Sequence, residues 1–230
     1  PVAVPGAVAQ RPLVFDFDLM TTGDALAIKD QPICDVSYVV LDLETTGLSV
    51  ETDAIVQLGA VRVLNGARVN GEELSTFVNP GRPIPPASTR IHRIGDAHVR
   101  DAPDIAEAGR ALHHFSRDAV LVAHNAPFDI GLLKRHAPDI GAKWDHPVLD
   151  TVLLSAVAFG TTEEHSLDAL CDRLSIEIPA EDRHTALGDA RVTAEALVRL
   201  LKMVEGQGYS TFRDLQPELD RQARRLYAGT

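Results

Sequence analysis

The chain has 230 residues, 45% hydrophobic and 24% charged, the balance of a soluble globular protein with length for a sizeable core plus some extra. It holds no apolar run of about eighteen residues, which excludes a membrane-spanning helix. A net charge of −11 argues against a nucleic-acid binder, unless several of the acids hold cations that invert the local field.

Cys34 and Cys171 are the only cysteines, so no disulfide framework is expected and a reducing, cytoplasmic setting fits. The stretch Pro1–Arg11 is small and apolar but lacks the basic start and long apolar run of a secretory signal. The chain opens with Pro1 rather than Met, as a piece of a longer protein does.

Residues 1–34 carry two short apolar islands, Pro12–Phe17 and Ala25–Ile28, and are expected to form an N-terminal extension or connector. Val36–Leu43 is rich in Val, Tyr and Leu, as a buried strand requires. Ala54–Leu64 and Ala67–Val78 are predicted strands joined at Asn65-Gly66, a hairpin turn signal, so the first three strands make a meander. Pro80–Pro86 is expected to be a loop, neither helix nor central strand. Asp101-Ala102-Pro103 is predicted to start a helix with apolar positions at Ile105, Ala108 and Leu112.

Ala119–Ala123 is a further short strand, running through His124-Asn125 into a helix from Pro127 to His136. Helices follow over Val152–Phe159, over Ser166–Leu174 with Ser166 as N-cap, and over Ala186–Val204, which Gly206 and Gly208 end. The tail, residues 206–230, holds one more basic amphipathic helix over Phe212–Tyr227. Strands followed by alternating strands and helices imply an α/β domain over 35–205 with a mixed sheet.

Three clusters carry chemistry. Asp42 and Glu44 sit two residues apart near the end of the first strand, so their carboxylates share one face. Carboxylates that close repel unless a cation lies between them, and oxygen donors suit a hard cation. The structural alternative is a simple turn completed by Thr45-Thr46-Gly47. In the second cluster, His124-Asn125-Ala126-Pro127-Phe128-Asp129, Asp129 falls in the first turn of a helix; the alternative makes Asn125 the N-cap and Asp129 a complement to the helix dipole. In the third, His184 precedes a helix whose first turn holds Asp189. A lone loop His is more often merely exposed, but this one stands five residues before an acid.

The motifs Asp42-x-Glu44-Thr45-Thr46-Gly47, His124-Asn125-Ala126-x-Phe128-Asp129 and His184-x-Ala186-x-x-Asp189, in that order, resemble those of the DEDDh family of 3′→5′ exonucleases. The matched stretch runs from Val36 to Val204. Ile91-His92-Arg93-Ile94 and His165-Ser166-Leu167-Asp168-Ala169-Leu170-Cys171 bring it nearest to epsilon-type proofreading exonucleases of bacterial DNA polymerase III. The resemblance implies a ribonuclease H-like fold, a five-stranded mixed sheet flanked by helices. It implies that Asp42, Glu44, Asp129 and Asp189 hold two Mg²⁺ or Mn²⁺ ions and that His184 is the general base of a two-metal hydrolysis releasing nucleoside 5′-monophosphates.

By the same resemblance, Thr45 and Thr46 would offer hydroxyls and amides to the terminal nucleotide, with Gly47 and Asn125 beside them. Leu48 would wedge against the last base, Phe128 would stack near it, and His92 would touch substrate. For Leu48 and Phe128, plain core packing is an equal alternative.

The implied partners are 3′ ends of single-stranded DNA or RNA, and a polymerase subunit or further domains of a longer chain. An RNA-trimming enzyme of the same class and a non-catalytic binding module are the alternatives. Asp16-Phe17-Asp18 faintly resembles the nucleophile motif of haloacid-dehalogenase phosphatases, but Met20 stands where that motif has Thr or Val, and a different domain begins within twenty residues.

Overall fold

In the computed structural model, residues 28–227 are described. Asp16-Phe17-Asp18, most of the expected N-terminal extension and the last three residues lie outside them. Five strands make one sheet: β1 (Tyr38–Thr45), β2 (Ile55–Leu64), β3 (Ala67–Phe77), β4 (Val120–Ala123) and β5 (Val148–Asp150). Their order is β3-β2-β1-β4-β5. β1 runs antiparallel to β2 and parallel to β4, so the sheet is mixed. The predicted meander is present, and Asn65 and Gly66 turn it with positive φ at both positions, as a tight hairpin needs.

β1 is central, and every residue of it is buried. Alternation divides its side chains between two layers. Val39, Leu41 and Leu43 pack with Leu112, Phe128, Leu132 and Trp144 on one face. Tyr38 and Val40 pack with Leu197, Leu200 and Leu201 on the other. Asp42 and Glu44 continue the second row, so they emerge on the face covered by the long helix that carries Asp189.

Nine helices flank the sheet among the described residues: α1 (Pro86–His92), α2 (Asp96–Val99), α3 (Ile105–Phe115), α4 (Ala126–Arg135), α5 (Ala137–Ile140), α6 (Thr151–Phe159), α7 (Leu167–Leu174), α8 (Ala186–Gly206) and α9 (Phe212–Tyr227). In α8 the buried residues are small at the start (Ala186, Gly188, Ala190, Ala194) and large further on (Leu197, Leu200, Leu201). The small residues let the helix start lie close against the sheet, where a Cβ at Gly59 would meet the Ala186 and Leu187 backbone. No helix among the described residues is long and apolar enough to cross a membrane.

Several expectations are corrected. Pro86 opens α1 at its first position, where a missing N–H costs nothing because that group has no intrahelical partner. The helix expected from Asp101 starts at Ile105, with the Asp104 carboxylate accepting from the Glu107 amide at 2.9 Å. Pro103 lies outside it, its carbonyl accepting from the Asn79 amide. β5 was not predicted from the sequence pattern. In the tail, Phe212, Leu215 and Leu219 belong to the core cluster of Tyr38 and Ile33. The Ile33 amide donates to the Ser210 carbonyl, and Asp30 pairs with Arg213 at 2.5 Å. Packing thus runs across both expected boundaries, at 34/35 and at 205/206.

Candidate active site

Asp42 and Glu44 leave β1 toward α8, and the β1–β2 register shifts between Glu44 and Thr45, an irregularity of the kind that re-aims side chains at sites. Asp189 lies in the first turn of α8. One oxygen from each of Asp42, Glu44 and Asp189 falls within 4.8 Å of the others. Among the described residues this is the one such group of three or more His, Cys, Asp or Glu side chains.

Asp42 and Glu44 are 8% and 7% exposed, so water screens their repulsion poorly. An all-oxygen donor set under mutual repulsion fits a hard divalent cation, which would relieve it.

The approach of α8 to β2 brings Asp189 in. Gly59 pairs with Asp42 across the strands; a Cβ there would lie 2.3 Å from the Ala186 carbonyl carbon and the Leu187 nitrogen. Only glycine lets the helix start rest on the strand. Gln57, which pairs with Glu44, accepts the Ala186 amide on its Oε1 at 3.0 Å, satisfying one open N–H of the helix terminus. Thr185 caps the same terminus by accepting from Gly188. Gln57 and Gly59 went unnoticed in the sequence because their partners stand far along the chain.

Asp129 arrives from the opposite layer. It is fully buried, and its Oδ1 accepts from the Leu43 amide, between Asp42 and Glu44, at 3.1 Å. It thus stands next to the three-carboxylate group without being among its mutually close atoms. Asn125 occupies the N-cap position of α4 in a left-handed conformation, but its side chain makes no cap hydrogen bond. Its backbone N–H donates to Asp150 Oδ1 at 3.1 Å.

Asp150 holds this turn and also accepts from the Val152 amide at 2.8 Å. Burial pushes its carboxyl up to about 6 against the lowering effect of the Val152, Asn125 and Ala126 amides. Sequence reading missed Asp150; its one signal was an Asp two residues before a predicted helix.

His184 is half-buried in the loop before α8, with a left-handed backbone at φ 56°. The Arg93 guanidinium holds the neighbouring Arg183 carbonyl.

The expected substrate contacts divide sharply. Leu48 is 37% exposed and free to meet a ligand. Phe128 is fully buried in the core; its ring presents no face for stacking, because burying an apolar ring is the stronger demand. Thr46 donates its hydroxyl to Asp53 Oδ1 at 2.9 Å and accepts from the Ala54 amide at 3.0 Å and from Arg82 at 2.7 Å. One hydrogen and two lone pairs are then all engaged. Its amide donates to the Ala54 carbonyl, so Thr46 shapes the loop and has no donor left for a nucleotide.

Thr45 directs its hydroxyl to the Gly47 carbonyl at 2.5 Å. His92 is buried; its Nδ1 accepts from the Ile94 amide at 3.0 Å, which places its proton on Nε2, donating to the Thr45 carbonyl at 3.2 Å. Burial lowers its pKa. His92 is therefore a neutral brace under Thr45, with both ring nitrogens used.

The exonuclease family model RNase_T matches residues 39–197. A DNA polymerase III subunit epsilon-like protein of Rhodobacter capsulatus is 54% identical over 215 residues, which cover 93% of this chain and 30% of that protein. A DNA polymerase III PolC-type of Caldanaerobacter subterraneus is 36% identical over 182 residues, 79% of this chain and 13% of that protein. The chain thus spans less than a third of either relative.

Among solved structures, Exonuclease X in complex with 5′ overhanging duplex DNA superposes with a TM-score of 0.63 at 28% identity, covering 79% of this chain and 99% of that one. The nuclease domain of 3′hExo, a DEDDh family member bound to rAMP, gives 0.62 at 14%, covering 73% and 92%, a likeness of fold alone. The mixed five-stranded sheet with its flanking helices is the ribonuclease H-like fold of these proteins.

Proposed function

This chain belongs to the exonuclease family whose model spans residues 39–197, and from that premise we propose that it removes nucleoside 5′-monophosphates from the 3′ ends of single-stranded DNA, in a proofreading or repair setting. The observation that carries this reading is the meeting of Asp42, Glu44 and Asp189 within 4.8 Å. These three, with Asp129 alongside, would hold two Mg²⁺ or Mn²⁺ ions. Bound there, such ions supply Lewis-acid stabilisation to the attacking and leaving oxygens of a phosphodiester.

The chain's own residues do the rest. His184, in its loop over the start of α8, takes the proton of the attacking water, a contribution worth about 10²–10⁴ in rate. Leu48 meets the terminal base, and the loop from Thr45 to Gly47 sets where that nucleotide lies. The polymerase names of the relatives support DNA as substrate and a polymerase, or further domains of a longer chain, as partner.

The test is digestion of a 5′-labelled single-stranded DNA oligonucleotide and its RNA equivalent with Mg²⁺, Mn²⁺ or EDTA. A metal-dependent ladder shortening from the 3′ end, faster on DNA, is expected. Asp42→Ala and Asp189→Ala should abolish it while the protein stays folded. His184→Ala should cut turnover steeply and still bind Mn²⁺. Wild-type rates in all three variants would overturn the assignment.

A further inference from the structure

The segment from Thr45 to Leu48 leaves the buried end of β1 and reaches the surface at Leu48, and it is tied down from three sides. Asp53, eight residues downstream of Thr45, turns its carboxylate back into the loop. One oxygen accepts the Thr46 hydroxyl at 2.9 Å and the other the Ser49 amide at 2.9 Å. Gly47 packs directly against that carboxylate: a Cβ at position 47 would sit 2.5 Å from Asp53 Oδ2.

The second tie comes from α4. Arg135, six residues after Asp129, donates through its two terminal nitrogens to the Val50 and Asp53 carbonyls. The third comes from α1, where the Ser88 hydroxyl donates to the Thr46 carbonyl at 2.7 Å. None of these groups belongs to the carboxylate cluster, and Arg135 spans from the helix of Asp129 to the loop that follows Asp42 and Glu44.

We infer that Asp53 and Arg135 are positioning residues that hold the Thr45–Leu48 loop in the shape that receives the terminal nucleotide, and that they act on substrate affinity and not on the metal cluster. The inference rests on the proposed exonuclease reading. A carboxylate that accepts a hydroxyl and an amide on separate oxygens fixes two points of a short loop. A guanidinium on the Val50 and Asp53 carbonyls, three residues apart, fixes its far limb. The loop so held keeps the exposed Leu48 in one place. A 3′ end resting on it then presents its last phosphodiester at a constant place.

Asp53→Ala removes the carboxylate contacts to Thr46 and Ser49 together with the 3.3 Å ion pair to Arg82; Asp53→Asn keeps the size and one acceptor, and serves if the alanine variant melts early. Both are compared with wild type for KM and kcat on the labelled DNA oligonucleotide, for Kd of dAMP, for Kd of Mn²⁺, and for hydrogen exchange at the Ser49 amide. The expected result is a rise of about tenfold in KM and in the dAMP Kd for Asp53→Ala, corresponding to loss of one or two hydrogen bonds. Asp53→Asn should move the same way by less. The Mn²⁺ Kd and kcat should stay near wild type, and Ser49 should exchange faster.

An unchanged KM and dAMP Kd, or a kcat that falls together with Mn²⁺ affinity, would overturn the inference. A wild-type protein that cleaves no oligonucleotide would instead overturn the exonuclease reading. The dAMP and exchange measurements would then still decide whether Asp53 shapes a nucleotide-binding loop.

Discussion

Replacing Gly59 by Ala adds one methyl group at the point where β2 carries α8. The new Cβ would sit 2.3 Å from two backbone atoms of Ala186 and Leu187 and 2.5 Å from the Ala186 carbonyl oxygen. Ordinary contact begins at 3.4 Å, so the helix start must retreat by about 1 Å, since backbone cannot rotate aside as a side chain does. Retreat stretches the 3.0 Å bond from the Ala186 amide to Gln57 and draws Asp189 away from Asp42 and Glu44. Overpacking of this kind costs about 1–3 kcal/mol of stability.

A displacement of about 1 Å in a catalytic arrangement costs about 10²-fold in rate. The assay is degradation of the labelled DNA oligonucleotide alongside calorimetric titration with Mn²⁺ and a thermal melt. The expected variant is folded, melts lower, binds Mn²⁺ more weakly and loses about two orders of magnitude in kcat/KM. A Gly59→Ala protein with wild-type Mn²⁺ affinity and activity would refute the idea that this close approach sets the carboxylate geometry.

Two further predictions concern stability. Phe128→Ala should destabilise the fold by about 3–5 kcal/mol in chemical denaturation, because the ring is fully buried in the core; weakened oligonucleotide binding with an unchanged midpoint would contradict that placement. Asp150, with its carboxyl raised to about 6 by burial, binds a proton in the folded state over a range where the unfolded side chain, near 3.9, has already lost it. Stability conferred by this group is therefore greatest below about pH 4 and declines as pH rises to about 6, by on the order of 2–3 kcal/mol. Asp150→Asn should flatten that slope in urea midpoints measured between those pH values, and an identical slope in the variant would show that the carboxyl does not titrate there.

Much of this protein was legible along the chain because its signals are local. Val, Tyr and Leu in β1, the Asn65-Gly66 turn and the long periodic run of α8 each express a backbone preference within a few residues. The two-residue spacing of Asp42 and Glu44 on a strand was enough to put both carboxylates on one face. The motif order added Asp129, Asp189 and His184, but no sequence spacing could say that Asp129 would be tied to the Leu43 amide instead of joining the close group of three.

What the tertiary structure alone decided depends on neighbours distant in sequence. β5 has three residues, too few for a period, and exists because β4 offers it an edge. Gln57 and Gly59 matter only because α8 lands on them from 129 positions away in the case of Gln57 and Ala186. Thr46, His92 and Phe128 carry residue types suited to touching a ligand. Their hydrogen-bonding groups and ring faces are spent inside the fold, since an unsatisfied buried polar group or an exposed aromatic ring costs more than either contact returns. Residue type sets what a side chain is able to do; the packing around it determines which of those capacities remains open to a ligand.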